Sequence, residues 1–149
     1  MALGATTYKT PNPIFSINED LTGKEGCGVY LDGANTLTVA TLGTDVPYGV
    51  VVAGCNSLDD GSKVVAGSAL ELVDQLGCVV QVRMNSQNGA AAGELLLIDT
   101  IDADGTFITA NNQALFDGYW VWGLALTDAE EGQQCLMRFQ PYQIQYIAP

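Results

Sequence analysis

Hydrophobic residues recur at every second position through much of this chain, which is the period of a strand rather than of a helix. The clearest case is residues 120–126, where Trp120, Trp122, Leu124 and Leu126 alternate with Val121, Gly123 and Ala125. A polar, glycine-terminated connection at residues 127–132 leads to a second apolar run at residues 135–139. Together they predict a hairpin with an acidic turn, and such a hairpin needs further strands on its apolar face. The chain supplies them. Similar short runs predict strands at residues 27–31, 36–42, 50–53, 63–66, 78–84, 94–99 and 106–110. Residues 68–76 read two ways: Ser68 and Glu71 fit a capping box opening a short helix, while Ser68, Leu70 and Leu72 alternate as in a strand.

Turn chemistry points the same way. Asp32-Gly33, Asp60-Gly61, Asn88-Gly89, Asp104-Gly105 and Asp117-Gly118 mark tight turns between the runs. The predicted fold is therefore all-β, a barrel or sandwich of short antiparallel strands. Its halves share an order of parts: a strand, an Asp-Gly turn, a threonine-containing strand, an aromatic-Gly-aliphatic strand and a closing strand after a glycine. Tyr48-Gly49-Val50-Val51 corresponds to Trp122-Gly123-Leu124-Ala125, and the run from Gly77 to that from Gly132. Two related β units, residues 26–84 and 90–139, form the predicted β domain. Residues 1–25 and 140–149 are read as an extended amino-terminal arm and a carboxy-terminal tail. Pro11 and Pro13 keep the arm extended, and Tyr8, Ile14, Phe15 and Ile17 give it apolar handles for a neighbouring subunit.

Composition narrows the function. At 149 residues and 48% hydrophobic, the chain can bury one core, or two small lobes sharing one. Seventeen acids against five scattered bases give a net charge of −12, which argues against direct contact with nucleic acid or an anionic membrane. No stretch approaches the roughly 18 apolar residues of a membrane span, and the amino terminus lacks a signal-peptide core, so synthesis in a cytoplasm is expected. There the four cysteines, Cys27, Cys55, Cys78 and Cys135, are expected as reduced, buried thiols.

Candidate chemistry is sparse. The chain has no histidine, the commonest general base and metal ligand. Asp99, Asp102 and Asp104 beside Gly105 have some calcium-loop character, but Gln113 stands twelfth from Asp102, where such a loop carries glutamate. These acids, like Asp59-Asp60 and Glu130-Glu131, are read as solvating turns. No catalytic residue, cofactor or metal is expected. Trp120 and Trp122 share one strand face and are read as core or subunit-interface residues.

Three pieces of the second half carry a family resemblance: Ala90-Ala91-Ala92-Gly93-Glu94-Leu95-Leu96-Leu97, Asp104-Gly105-Thr106-Phe107-Ile108-Thr109-Ala110, and Trp122-Gly123-Leu124-Ala125-Leu126-Thr127-Asp128-Ala129-Glu130-Glu131-Gly132 followed by Cys135-Leu136-Met137-Arg138-Phe139. They resemble the phage capsid decoration, or cement, proteins, with a weaker echo over residues 26–84. The resemblance implies a β-barrel-like homotrimer on the outer capsid surface of the virion, at three-fold and quasi-three-fold positions, tying neighbouring major capsid proteins together. The long loop at residues 56–77 and the tyrosine-rich tail depart from the plainer members. On this reading the capsid and subunit contacts are Tyr8, Ile14, Phe15, Ile17, Trp120, Trp122, Tyr142, Ile144 and Tyr146. A carbohydrate-binding β module using Tyr119 or the tail tyrosines is the alternative, and a small acid-dependent hydrolase a third class.

Overall fold

The computed structural model describes residues 16–17, 21–33, 36–53, 71–110 and 112–147. Among the described residues ten strands form two five-stranded sheets. The first holds β1 (Ser16–Ile17), β2 (Gly28–Leu31), β3 (Thr36–Val39), β4 (Gly49–Ala53) and β5 (Glu71–Val73), in the order β1-β3-β2-β4-β5. The second holds β6 (Val79–Arg83), β7 (Leu95–Ile98), β8 (Phe107–Thr109), β9 (Trp120–Ala125) and β10 (Gln134–Gln143), in the order β6-β10-β9-β7-β8. All neighbours are antiparallel except β1, which runs parallel to β3. The fold is an all-β sandwich of two units.

The repeat inferred from sequence has a counterpart in topology, with shifted limits. β2 to β5 are laid out 3-2-4-5, and β7 to β10 are laid out 8-7-9-10. In both, a hairpin forms, the third strand returns to the hairpin's first strand, and the fourth adds outside it. The closing strand of the first unit is β5, so residues 71–73 of the ambiguous stretch are strand. The run after Gly77, read as that closing strand, is β6 and pairs with β10. It resembles the run after Gly132 because both turn alternate residues, Val80 and Val82 or Cys135 and Met137, into one core. The tail boundary also moves, since β10 continues to Gln143. At the other end Leu21, assigned to the arm, is wholly buried among core residues Val29, Leu37, Val39 and Val51. The strand expected at residues 63–66 lies outside the described residues.

The main core lies between the sheets. Ala40 and Val50 come from the first, and Val80, Val82, Met84, Leu96, Ile98, Phe107, Trp122 and Met137 are among those from the second. Trp122 is wholly buried and packs edge-on to Phe107 (ring centroids 5.7 Å apart) and to Phe139 (6.5 Å). β2 crosses directly above it. A Cβ at Gly28 would stand 2.7 Å from Trp122 Cζ3 and 2.8 Å from Ile98 Cδ1. Gly28→Ala is therefore expected to destabilise the protein by about 1–3 kcal/mol, because neither the indole nor the isoleucine has space to move into. Urea denaturation measures it directly; an unchanged midpoint would show that β2 can lift off Trp122.

The alternation read along residues 120–126 is interrupted in the folded strand. Leu96 pairs with Gly123 but Leu97 pairs with Val121, so the ladder shifts by one residue at Trp122. Up to that bulge Trp120 and Trp122 face the main core, and after it Ala125 does. Leu124 and Leu126 consequently leave that face and are only half-buried. Gly123 is required here, because a Cβ would collide with the Arg138 carbonyl and the Met137 side chain. On the opposite face, Leu97, Val121 and Ile144 form a smaller cluster with Phe116 and Tyr119.

Candidate interaction surface

β9 starts at an apolar end of the sandwich and runs, over about 17 Å, toward a more acidic one. Three segments distant in sequence are laced together around Tyr119, the residue before β9. In the loop after β3, Asp45 is buried and its carboxylate accepts bonds from Thr41 N (3.0 Å) and Leu42 N (2.9 Å). That fixed loop lays Gly43 against the Tyr119 ring, and Trp120 N donates to Gly43 O at 2.8 Å. A 3-10 turn, Gln113–Phe116, opens on Asn112, whose side chain accepts from Ala114 N at 3.1 Å. It sets Phe116 edge-on to Tyr119 with ring centroids 5.5 Å apart. The end of the chain then runs beside Tyr119: Ile144 N donates to Tyr119 O (2.8 Å), Gly118 N to Ile144 O (2.9 Å) and Tyr146 N to Asp117 Oδ1 (2.9 Å).

These segments anchor themselves through Asp45, Phe116 and Ile144, and turn other apolar side chains outward. Of the eleven large hydrophobics exposed among the described residues, six are here: Leu42, Val46, Leu115, Tyr142, Tyr146 and Ile147. Leu115 is 73% and Ile147 87% exposed. Segments 41–46, 112–120 and 140–147 contain two acids, Asp45 and Asp117, and both accept backbone bonds. Apolar side chains gathered in one region poor in charge are what a docking surface requires.

The far end contrasts with it. Segments 84–94 and 126–133 carry four acids and no base. The turn after β9 is held to the loop before β7 by the reciprocal Ala90 and Ala129 backbone bonds (2.9 Å each) and by Ala92 N donating to Asp128 Oδ1 (2.9 Å). Beneath it, buried Asn85 donates through Nδ2 to Asp99 Oδ2 (2.8 Å) and to Asp102, while its Oδ1 accepts from Gln87 N (2.8 Å). The Asp99 carboxylate, 1% exposed, also accepts from Ile101 N and Asp102 N. Asp99 thus ties turns together rather than merely solvating one. Among the described residues no group of three or more His, Cys, Asp or Glu is arranged to hold a metal ion.

The residues singled out from sequence are dispersed. Tyr8, Ile14 and Phe15 lie outside the described residues, and Ile17 pairs with Leu37 in β1. Trp122 is sealed in the core and Ile144 in the smaller cluster, which leaves neither a face for a partner. Trp120 is half-buried against the core, while Tyr142 and Tyr146 are exposed at the apolar end. Burial of its ring pushes the Tyr142 phenol above its ordinary pKa. Leu42, Val46 and Leu115 were not legible as surface residues, because only the fold brings their segments to the tail.

The thiols divide. Cys27 and Cys135 are buried, Cys78 is exposed at the start of β6, and Cys55 lies outside the described residues. Burial, the largest cause, raises the Cys27 thiol above its ordinary pKa, and Cys135 Sγ donates to Thr127 O at 3.2 Å. In a Cys55→Ser background, a thiol reagent at neutral pH is expected to label Cys78 alone in the native protein and all three remaining cysteines in denaturant. Native labelling of Cys27 at a comparable rate would contradict the packing around it.

No protein family's sequence profile matches the chain, and no curated protein is similar to it in sequence. Similarity emerges in the fold. The chain is similar to the head fiber gp8.5 N base of bacteriophage phi29, with a TM-score of 0.59 and 16% identity over 90% of this chain and 97% of that one.

Proposed function

We propose that this protein is a structural, non-enzymatic component of a phage head, which decorates the outside of the capsid as a homotrimer and cements adjacent major capsid proteins. The observation that carries the reading is the gathering of exposed apolar side chains at the start of β9, with four acids and no base in the segments at its other end, in a sandwich shared with a phage head fiber base. The apolar end docks against the shell. Burying apolar surface there contributes roughly 25 cal/mol per Å², and a standard interface buries about 800 Å² on each partner. The acidic end faces solvent, where like charge keeps free copies apart and away from DNA.

The test is cosedimentation of the purified protein with empty expanded heads, beside sedimentation velocity of the protein alone. A trimer that binds saturably supports the cement reading; a protein that leaves the heads in the pellet and stays in the supernatant overturns it. The exposed Tyr142 and Tyr146 rings favour the second reading, a carbohydrate-binding module. It would give saturable glycan binding that both Tyr→Ala substitutions remove.

A further inference from the structure

A groove of about 390 Å³ opens along the seam of the sandwich. Its walls include Val51, Val52 and Val73 of the first sheet and Val79 and Val80 of the second, with Glu25 as the only acid among the described residues. Val52 is 43% and Val79 48% exposed, although both lie on strands. β5 and β6 are the terminal strands of their sheets, so the groove runs between two sheet edges.

The edge of β6 is chemically open. Cys78 O accepts from Phe139 N and Met84 N donates to Gln133 O, so the even-numbered residues bond toward β10. The odd-numbered ones direct their backbone groups away from it. Arg83 N meets Gly26 O at 2.9 Å, which closes one end of the groove. The outward N–H and C=O groups of Val79 and Gln81 meet no strand among the described residues. Exposed edges are commonly guarded by lysine, proline or inward-pointing charge. Along its open stretch β6 presents Val79 and Gln81 instead, and its one charged residue, Arg83, stands at the end closed by Gly26.

We propose that residues 6–10 of a second copy of this chain occupy the groove, added as a strand along β6. That segment, Thr6-Thr7-Tyr8-Lys9-Thr10, is β-branched or aromatic at four of five positions and matches the five residues of β6. Pro11 and Pro13 end it, since neither can donate to a ladder. Its charge is complementary: residues 1–18 hold Lys9 and no acid, and Glu25 lies in the groove. Chain length sets the reach, because only residues 11–15 lie between that segment and Ser16 and they extend at most about 20 Å, with no slack to pass around the sheet. Direction favours a second copy over the same one. The arm leaves from β1 at one edge of the first sheet, and the groove lies against β4 and β5 toward the other, about 14–19 Å away. A donor on one edge and an acceptor on the opposite edge make a head-to-tail contact, the kind that closes identical subunits into a ring. This deepens the homotrimer of the proposed function, and capsids are left out of its test so that the two can fail separately.

The test is amide hydrogen exchange of the full-length protein across a concentration series, beside its sedimentation. At concentrations where it is oligomeric, the Val79 and Gln81 amides are expected to exchange about 100-fold or more slower than after dilution to monomer. Thr7→Pro removes a donor from the arm and should abolish that protection and shift the protein to monomer. Gln81→Pro removes the outward N–H from the acceptor and should have the same effect without touching the arm. Amides that exchange freely in the oligomer overturn the proposal, as does protection that survives dilution or Thr7→Pro.

Discussion

Trp122→Ala is expected to cost about 3–5 kcal/mol, a large part of the roughly 5–15 kcal/mol that holds a domain of this size folded. The indole has no exposed surface, and its neighbours belong to both sheets: Phe107 and Phe139 beside it, Ile98 adjoining, and the β2 backbone at Gly28 overhead. Removing it leaves a void that β2 alone could fill, but β2 is fixed by Gly28 N donating to Gly105 O and by its pairing with β3 and β4. The void therefore persists, and its lining loses contacts outright. Trp122→Phe should behave differently. The indole Nε1 has no hydrogen-bond partner, and leaving such a group unsatisfied in the core costs about 1–3 kcal/mol. Phenylalanine removes that donor while keeping most of the ring, so its net cost is expected to stay below about 1.5 kcal/mol. Urea denaturation followed by circular dichroism separates the cases; equal losses in both variants would show that the N–H finds a partner in solution.

Leu115→Asp combined with Ile147→Asp is expected to weaken capsid binding by about 100-fold or more while leaving stability within about 0.5 kcal/mol per site. Both side chains lie largely in solvent, so the fold does not need them. At a docked apolar end, two carboxylates would each lose hydration without gaining a partner, and every 1.4 kcal/mol so lost is tenfold in affinity. Glu130→Gln with Glu131→Gln, at the opposite end, serves as the control and should leave binding unchanged. Cosedimentation with empty heads reads all of them. If the acidic-end pair weakened binding and the apolar-end pair did not, the molecule would sit on the capsid the other way up.

The sequence reading located features whose cause is local. Strand positions such as residues 79–83 and 95–98 follow from alternating or continuous apolar runs, and β8 begins two residues after Gly105 of the Asp104-Gly105 turn. The candidate surface was half legible. Tyr142 and Tyr146 stood out in a tyrosine-rich tail, but Leu42, Val46 and Leu115 look like ordinary loop residues in their own segments. Trp120 and Trp122 attracted attention for their size, and size sends Trp122 to the centre of the core.

What the sequence by itself determined is therefore the all-β class, most strand positions and the doubled order of parts, since period and turn chemistry act over a few neighbouring residues. Tertiary structure alone decided which sheet β6 joins, where β9 slips by one residue, and which distant segments meet around Tyr119. Each of those depends on a surface that exists only once the sheets have formed. β6 needs the edge of β10, the bulge needs the Arg138 carbonyl beside Gly123, and the apolar end needs loops about 70 and 100 residues apart in sequence to close on one ring.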